Sequence, residues 1–193
     1  MAYYNSPHLS GISITTEPAI VTSFGPDAVV SNCNIEICHG QRSLLLSKSR
    51  FIDCLFHAKK PLKNFQDWCN ANIVGCKFVG TFSGNDFGNW PEVFGDFGSI
   101  IDCDFSCSIL KGCRFFGCDP ESIRLPVWPT IAIRNPAEAF GSIQIDNLSG
   151  SLKRWIYVST FVAPSLQVDY APDVCKRYGV SEDELKNFIR PYM

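Results

Sequence analysis

The sequence predicts an all-β solenoid, a chain that coils repeatedly on itself, and three observations carry that expectation. Within residues 98–125 a small residue is followed two places later by a large apolar one, and the pair recurs every five residues. The pairs are Gly98 and Ile100, Cys103 and Phe105, Ser108 and Leu110, Cys113 and Phe115, Cys118 and Pro120, Ile123 and Leu125. Such a period matches neither the helical repeat of about 3.6 nor a uniform strand alternation of about two. Second, the pattern occurs earlier, at Cys33 and Ile35, Leu44 and Leu46, Ser49 and Phe51, Cys54 and Phe56, Ala71 and Ile73, and Cys76 and Phe78. Third, seven of the ten cysteines (33, 38, 54, 76, 103, 113 and 118) stand in the small-residue position. Alternation puts both members of a pair on one face and Asp104, Lys111 and Arg114 on the other. No repeat of this length buries its apolar face alone, so neighbouring coils must supply the core.

Cys103-Asp104-Phe105-Ser106-Cys107 and Cys113-Arg114-Phe115-Phe116-Gly117 resemble the pentapeptide-repeat family. That family repeats a small residue, a variable position, Leu or Phe, and further variable positions. The resemblance implies a right-handed quadrilateral parallel β-helix, four fives to a coil, with the small and the central apolar residues both pointing inward. Pro120 and Ile123 depart from the pattern and place the end of the solenoid nearby. The family shares a scaffold, not an activity.

The chain divides into three expected parts. Residues 1–27 lack the repeat, and Gly25-Pro26-Asp27 is a turn signal; an N-terminal cap or edge strand covering the first coil fits them. Residues 28–128 make the β-helix, about five coils at ~4.8 Å per layer. Phe56 to Ile73 spans 17 residues and Phe78 to Ile100 spans 22, neither a multiple of five, so loops are expected at 57–70 and 79–97. Residues 129–193 form a mixed C-terminal cap. Apolar stretches at 131–133, 143–145 and 155–161 read as strands. Pro172 opens a short helix that Gly179 closes. Ser181 and Glu184 form a capping box for a last α-helix running from Glu182 to about Arg190.

Composition bounds the function. The 193 residues are 46% apolar and 19% charged with a formal net charge of −2, so direct nucleic-acid and membrane binding are not expected. No base precedes Arg42 and no long apolar run occurs, so neither a signal peptide nor a membrane span is expected. Cysteines confined to one structural position read as small buried hydrophobes, which suits reduced thiols in the cytoplasm.

Catalytic motifs do not surface. His39 beside Cys38 lacks the paired short spacing of a zinc site, and the five-residue cysteine spacing is that of the repeat. Asp102 and Asp104 share an outward face, the arrangement of a carboxylate pair in a carbohydrate-active or cation-binding β-helix. A solvated strand face explains them as well. No catalytic residue, metal or cofactor is assigned.

Charge placement is more informative. Residues 42–63 hold six bases and one acid, whereas between Lys77 and Lys111 there are five acids and no base. The acidic segment also carries Phe87, Trp90, Phe94 and Phe97. Acids around aromatic anchors suit docking to a basic protein surface, and the expected partner-binding set is Asp86, Trp90, Glu92, Phe94, Asp96, Asp102 and Asp104. The leading expectation is a non-catalytic binding protein, most simply an immunity protein that blocks a bacterial toxin; a monomer is favoured over a homodimer. The pentapeptide-repeat resemblance supplies the alternative, a DNA mimic that binds DNA gyrase. Near-neutral charge and interrupted coils depart from that pattern.

Overall fold

The computed structural model describes residues 2–4, 8–17, 20–40, 43–141, 143 and 148–192. Mostly parallel strands stack into a β-solenoid with few helices. In chain order the strands are β1 (Ala2–Tyr4), β2 (His8–Ser10), β3 (Ser13–Thr15), β4 (Thr22–Phe24), β5 (Val29–Ser31) and β6 (Asn34–Ile37). There follow β7 (Leu44–Leu45), β8 (Ser49–Ile52), β9 (Leu55–Lys63), a 3-10 turn at Asp67–Asn70, β10 (Ala71–Val74) and β11 (Lys77–Ser83). The last solenoid strands are β12 (Asp86–Gly88), β13 (Ser99–Ile101), β14 (Asp104–Lys111) and β15 (Cys113–Phe116), with the one-turn helix α1 (Pro91–Phe94) between β12 and β13. One parallel sheet runs β2-β5-β8-β10-β13 and a second runs β3-β6-β9-β11-β14. The third side begins with β1-β4-β7 and ends with the parallel pair β12-β15.

The strands thus lie on three parallel faces, and of the two alternatives for the N-terminal part the edge strand is the one seen, with β1, β2 and β3 each at the edge of its sheet. Four fives would return the chain after about 20 residues. The observed interval is 21 from Val29 to Arg50, 22 from Arg50 to Asn72 and 27 from Asn72 to Ser99. The fives are a property of the corners, since Phe82 and Phe87, and Leu110 and Phe115, are also five apart and buried on either side of the corner that follows the second sheet. Val30 and Ile35, Phe51 and Phe56, Ile73 and Phe78, and Ile100 and Phe105 are each five apart, flank the corner between the two large sheets, and are buried. At that corner the backbone turns through a left-handed residue in every layer: Gly11, Asn32, Asp53, Gly75 and Asp102. Asn and Asp tolerate this conformation better than other residues with a side chain. Cys33, Cys54, Cys76 and Cys103 follow four of them directly and are buried. Their thiols hydrogen-bond strand carbonyls, as Cys54 Sγ does to Val30 O at 3.3 Å.

Inside, like residues stack on like. Ile14, Ile35, Phe56 and Phe78 sit in register along the second sheet, and Phe105 lies flat on Phe78 at 4.3 Å. The expected loop 57–70 is largely strand β9 followed by the 3-10 turn, and its Trp68 is a core residue. Trp68 contacts Phe56, Phe65, Phe78 and Phe87 and donates Nε1 to Asn85 Oδ1 at 3.1 Å. Asn85 is itself buried and donates to Leu62 O and Ser83 O, so burying its amide carries little desolvation cost. Within 79–97 only residues 89–97 leave the solenoid, because β11 and β12 account for most of the rest and Phe82 and Phe87 are core.

The C-terminal part closes one face. After a 3-10 turn at Pro120–Ser122 come β16 (Thr130–Arg134), α2 (Pro136–Gly141), α3 (Gly150–Thr160), β17 (Leu166–Tyr170), α4 (Ala171–Tyr178), α5 (Glu182–Ile189) and a 3-10 turn at Arg190–Tyr192. Strand β17 pairs antiparallel with both β15 and β16, so the sheet order is β12-β15-β17-β16. It covers a sheet edge that would otherwise be open to association. A second core, including Ile131, Ile133, Trp155, Val174 and Leu185, lies under the helices. Residues 155–161, expected as a strand, are helix α3 and its end. Leu152, Trp155, Ile156 and Ser159 are its buried stripe, and Ser149 Oγ caps it by accepting from Leu152 N. Helices α4 and α5 occur where Pro172 with Gly179, and Ser181 with Glu184, place them. Of 143–145, only Ile143 is among the described residues.

Candidate functional site

Residues 89–97 bulge from the corner between β12 and β13. Glycines mark the base of this excursion: a Cβ on Gly98 would lie 2.3 Å from Cys69 O, and one on Gly88 2.2 Å from Phe116 O. Backbone approaches this close leave no room for a side chain. Pro91 starts α1 and Gly95, at φ +72°, ends it. The short helix buries none of its residues, so it presents side chains instead of anchoring the core.

Trp90, just before α1, is held in a defined place. Its indole stacks on Phe116 with centroids 4.4 Å apart and meets Phe94 edge-on at 6.3 Å. The Arg114 guanidinium lies 5.1 Å from the Trp90 ring and 5.5 Å from that of Phe116, within cation–π reach. Arg114 is in turn fixed by Asp86, its cross-strand partner in the β12–β15 register. Nε and Nη2 donate to the two carboxylate oxygens at 2.6 and 2.8 Å, and Gln66 Nε2 adds a third bond at 2.8 Å. Asp86 is 1% exposed. It was expected at a partner interface, but it lies beneath that surface and supports it.

A depression of about 580 Å³ opens beside Trp90, lined by Asn89, Val93, Phe116, Val162 and Ala163 among others. The residues after α3 reach this corner through Val162 and Ala163, and Tyr157 and Phe161 are exposed on the outer side of that segment. Phe161 is 72% exposed, Tyr157 65% and Val93 53%. Glu92 and Asp96 are exposed on the same excursion and Phe94 is half-buried.

Asp102 and Asp104 are elsewhere. They line a different depression, about 520 Å³, with Glu121, Ser122 and Arg124. Asp102 occupies the left-handed corner position at φ +53°. Asp104 Oδ1 accepts from Ser106 N at 2.8 Å, and bonds from Ser106 hold its carboxyl below the usual carboxylate range. The structure therefore gathers Trp90, Glu92, Phe94 and Asp96 at one corner, sets Asp86 under it, and separates Asp102 and Asp104 from it.

A third cleft, of about 400 Å³, lies between the solenoid corner at Asn64, Gly84 and Gly112 and the C-terminal elements α3, β17 and α4. Within it Asp169 accepts from Trp155 Nε1 at 3.2 Å and Gln167 Nε2 at 3.1 Å, and Lys111 pairs with Asp173 at 3.0 Å in a small adjoining cavity that shares Gly112 and Asp169. Burial pushes the Asp169 carboxyl above its ordinary pKa, against those bonds. Sequence reading missed this cleft; in a strand Gln167 and Asp169 share one face, but nothing local reveals the strand or that this face meets Gly112.

All ten cysteines are free, and Cys107 is exposed. Burial pushes the thiols of Cys69, Cys103 and Cys113 up to about 12. Among the described residues no group of three or more His, Cys, Asp or Glu is placed to hold a metal ion, and no helix is long and apolar enough to cross a membrane. No protein-family model matches the chain, and no curated protein matches it.

Proposed function

We propose that this chain is a non-catalytic protein-binding solenoid that neutralises or regulates a protein partner, as an immunity-type inhibitor does a bacterial toxin, and that the Trp90 corner is its contact surface. The observation that supports this reading is an ordered, half-exposed Trp90 that shares one depression with exposed Val93 and Glu92, with Asp96 on the same excursion. Aromatic anchors carry a large share of binding energy where they are rigid and surrounded by surface that excludes water. The acids favour a basic partner, such as the cleft of an enzyme that acts on anionic substrates, and steer its approach.

The test is affinity capture from the native host with tagged full-length chain, followed by calorimetry on the captured partner. Trp90→Ala and Val93→Asp are each expected to weaken binding by about 30-fold, the equivalent of a ~2 kcal/mol hot spot. Affinity unchanged in both variants would place the contact elsewhere.

A further inference from the structure

The depression beside Trp90 has a chemistry more specific than an apolar patch. Its walls, formed by Trp90, Pro91, Val93, Phe116 and Val162, are apolar, and Glu92 is the charged residue that lines it. Glu92 forms no ion pair among the described residues. Asn89 lines the same depression, and its side-chain oxygen is buried with no hydrogen-bond partner among the described residues. Arg114 already holds one edge of the Trp90–Phe116 stack, and Asp86 takes up its charge. The excursion itself, residues 89–97, carries Glu92 and Asp96 and no base.

We propose that this depression takes a single lysine or arginine side chain of a protein partner. The proposal rests on the protein-binding reading above and narrows it. The methylene stem packs on Val93 and Val162, as long cationic side chains do on apolar surface. The charged head meets Glu92 and, once the carboxamide turns outward, Asn89 Oδ1. A carboxylate in the same place faces Glu92, and an uncharged aliphatic chain leaves Asn89 Oδ1 unsatisfied. Because Trp90 is ordered before binding, little side-chain entropy is lost on contact.

The experiment needs no identified partner. Full-length ¹⁵N-labelled chain is titrated with Nα-acetyl-lysine methylamide, its arginine counterpart and its norleucine counterpart, following the Trp90 indole N–H and the Asn89 carboxamide by NMR. The lysine and arginine compounds are expected to shift both signals, with norleucine weaker. Glu92→Gln is expected to reduce the lysine effect roughly 2- to 5-fold, and added salt to reduce it further. Equal shifts from norleucine, or no shift from any of the three, overturn the proposal. Either result leaves the protein-binding reading to stand or fall on the capture experiment.

Discussion

Asp86→Asn is the most informative single change, because it tests the link between the buried ladder and the surface at Trp90. The substitution keeps the volume and an acceptor for Gln66, but it turns a charged pair into a lone guanidinium beside an amide. Removing one partner of a buried pair costs about 3–5 kcal/mol. The Arg114 side chain is 26% exposed, so water recovers part of its solvation, and about 2–3 kcal/mol is the expected loss. For a chain of this length each kcal/mol lowers Tm by about 2–4 °C, which gives a drop of about 4–12 °C by calorimetry. Trp90 supplies a second readout. With Arg114 no longer fixed, its fluorescence should become more accessible to acrylamide, with Trp90→Phe as the reference that separates it from the other three tryptophans. A double-mutant cycle with Arg114→Ala isolates the pair. A coupling energy below about 0.5 kcal/mol with Tm unchanged would show that β12–β15 backbone pairing alone positions this corner, and the reasoning would fail.

Three further outcomes are expected. Asp102 is present for its backbone conformation, so Asp102→Gly should change stability by less than about 0.5 kcal/mol, whereas Asp102→Val should cost about 1–2 kcal/mol; equal effects in urea unfolding would refute this. The raised pKa of Asp169 means the folded chain binds more protons than the unfolded one between the ordinary carboxylate range and the raised value. This group's contribution is therefore lost as pH rises through that window, and Asp169→Asn should gain on the native chain over the same window; a difference independent of pH would count against it. Titration of the native protein with a disulfide reagent should give one fast thiol, abolished by Cys107→Ser, with the buried cysteines reacting only after unfolding; rapid modification of Cys113 would contradict its burial.

What was legible in the sequence is the part in which local pattern and final packing coincide. The inward positions of Gly98, Ile100, Cys103, Phe105, Ser108, Leu110, Cys113 and Phe115 are all buried, and the signals around Pro172, Gly179 and Ser181 mark real helix ends. The five-residue period hid the larger interval, because a tight corner fixes five residues locally whatever the rest of the layer does. Helix α3 was misread because Trp155, Ile156, Tyr157 and Val158 form an apolar run that suits a strand equally well. The distinguishing signal was present: Ser149 as cap, then Leu152, Trp155, Ile156 and Ser159 at helical spacing. Composition singled out Trp90, Glu92, Phe94 and Asp96, which the structure brings to one corner, yet it placed Asp86 on the surface with them, since sequence does not reveal that its strand neighbour is Arg114, 28 residues on.

The lengthened interval at the Trp90 layer bears on how freely such a surface is varied. Each layer must close a loop before its ladder forms, and the entropy of closure grows only with the logarithm of loop length. Extending the interval from 22 residues, as between Arg50 and Asn72, to 27, as between Asn72 and Ser99, adds about 0.2 kcal/mol by that relation. Across the excursion the first sheet keeps its register, and the second absorbs a one-residue shift between Lys77 and Val79. A solenoid of this kind can exchange the content of one corner at almost no cost to its folding, so the excursion and the scaffold are free to diverge separately.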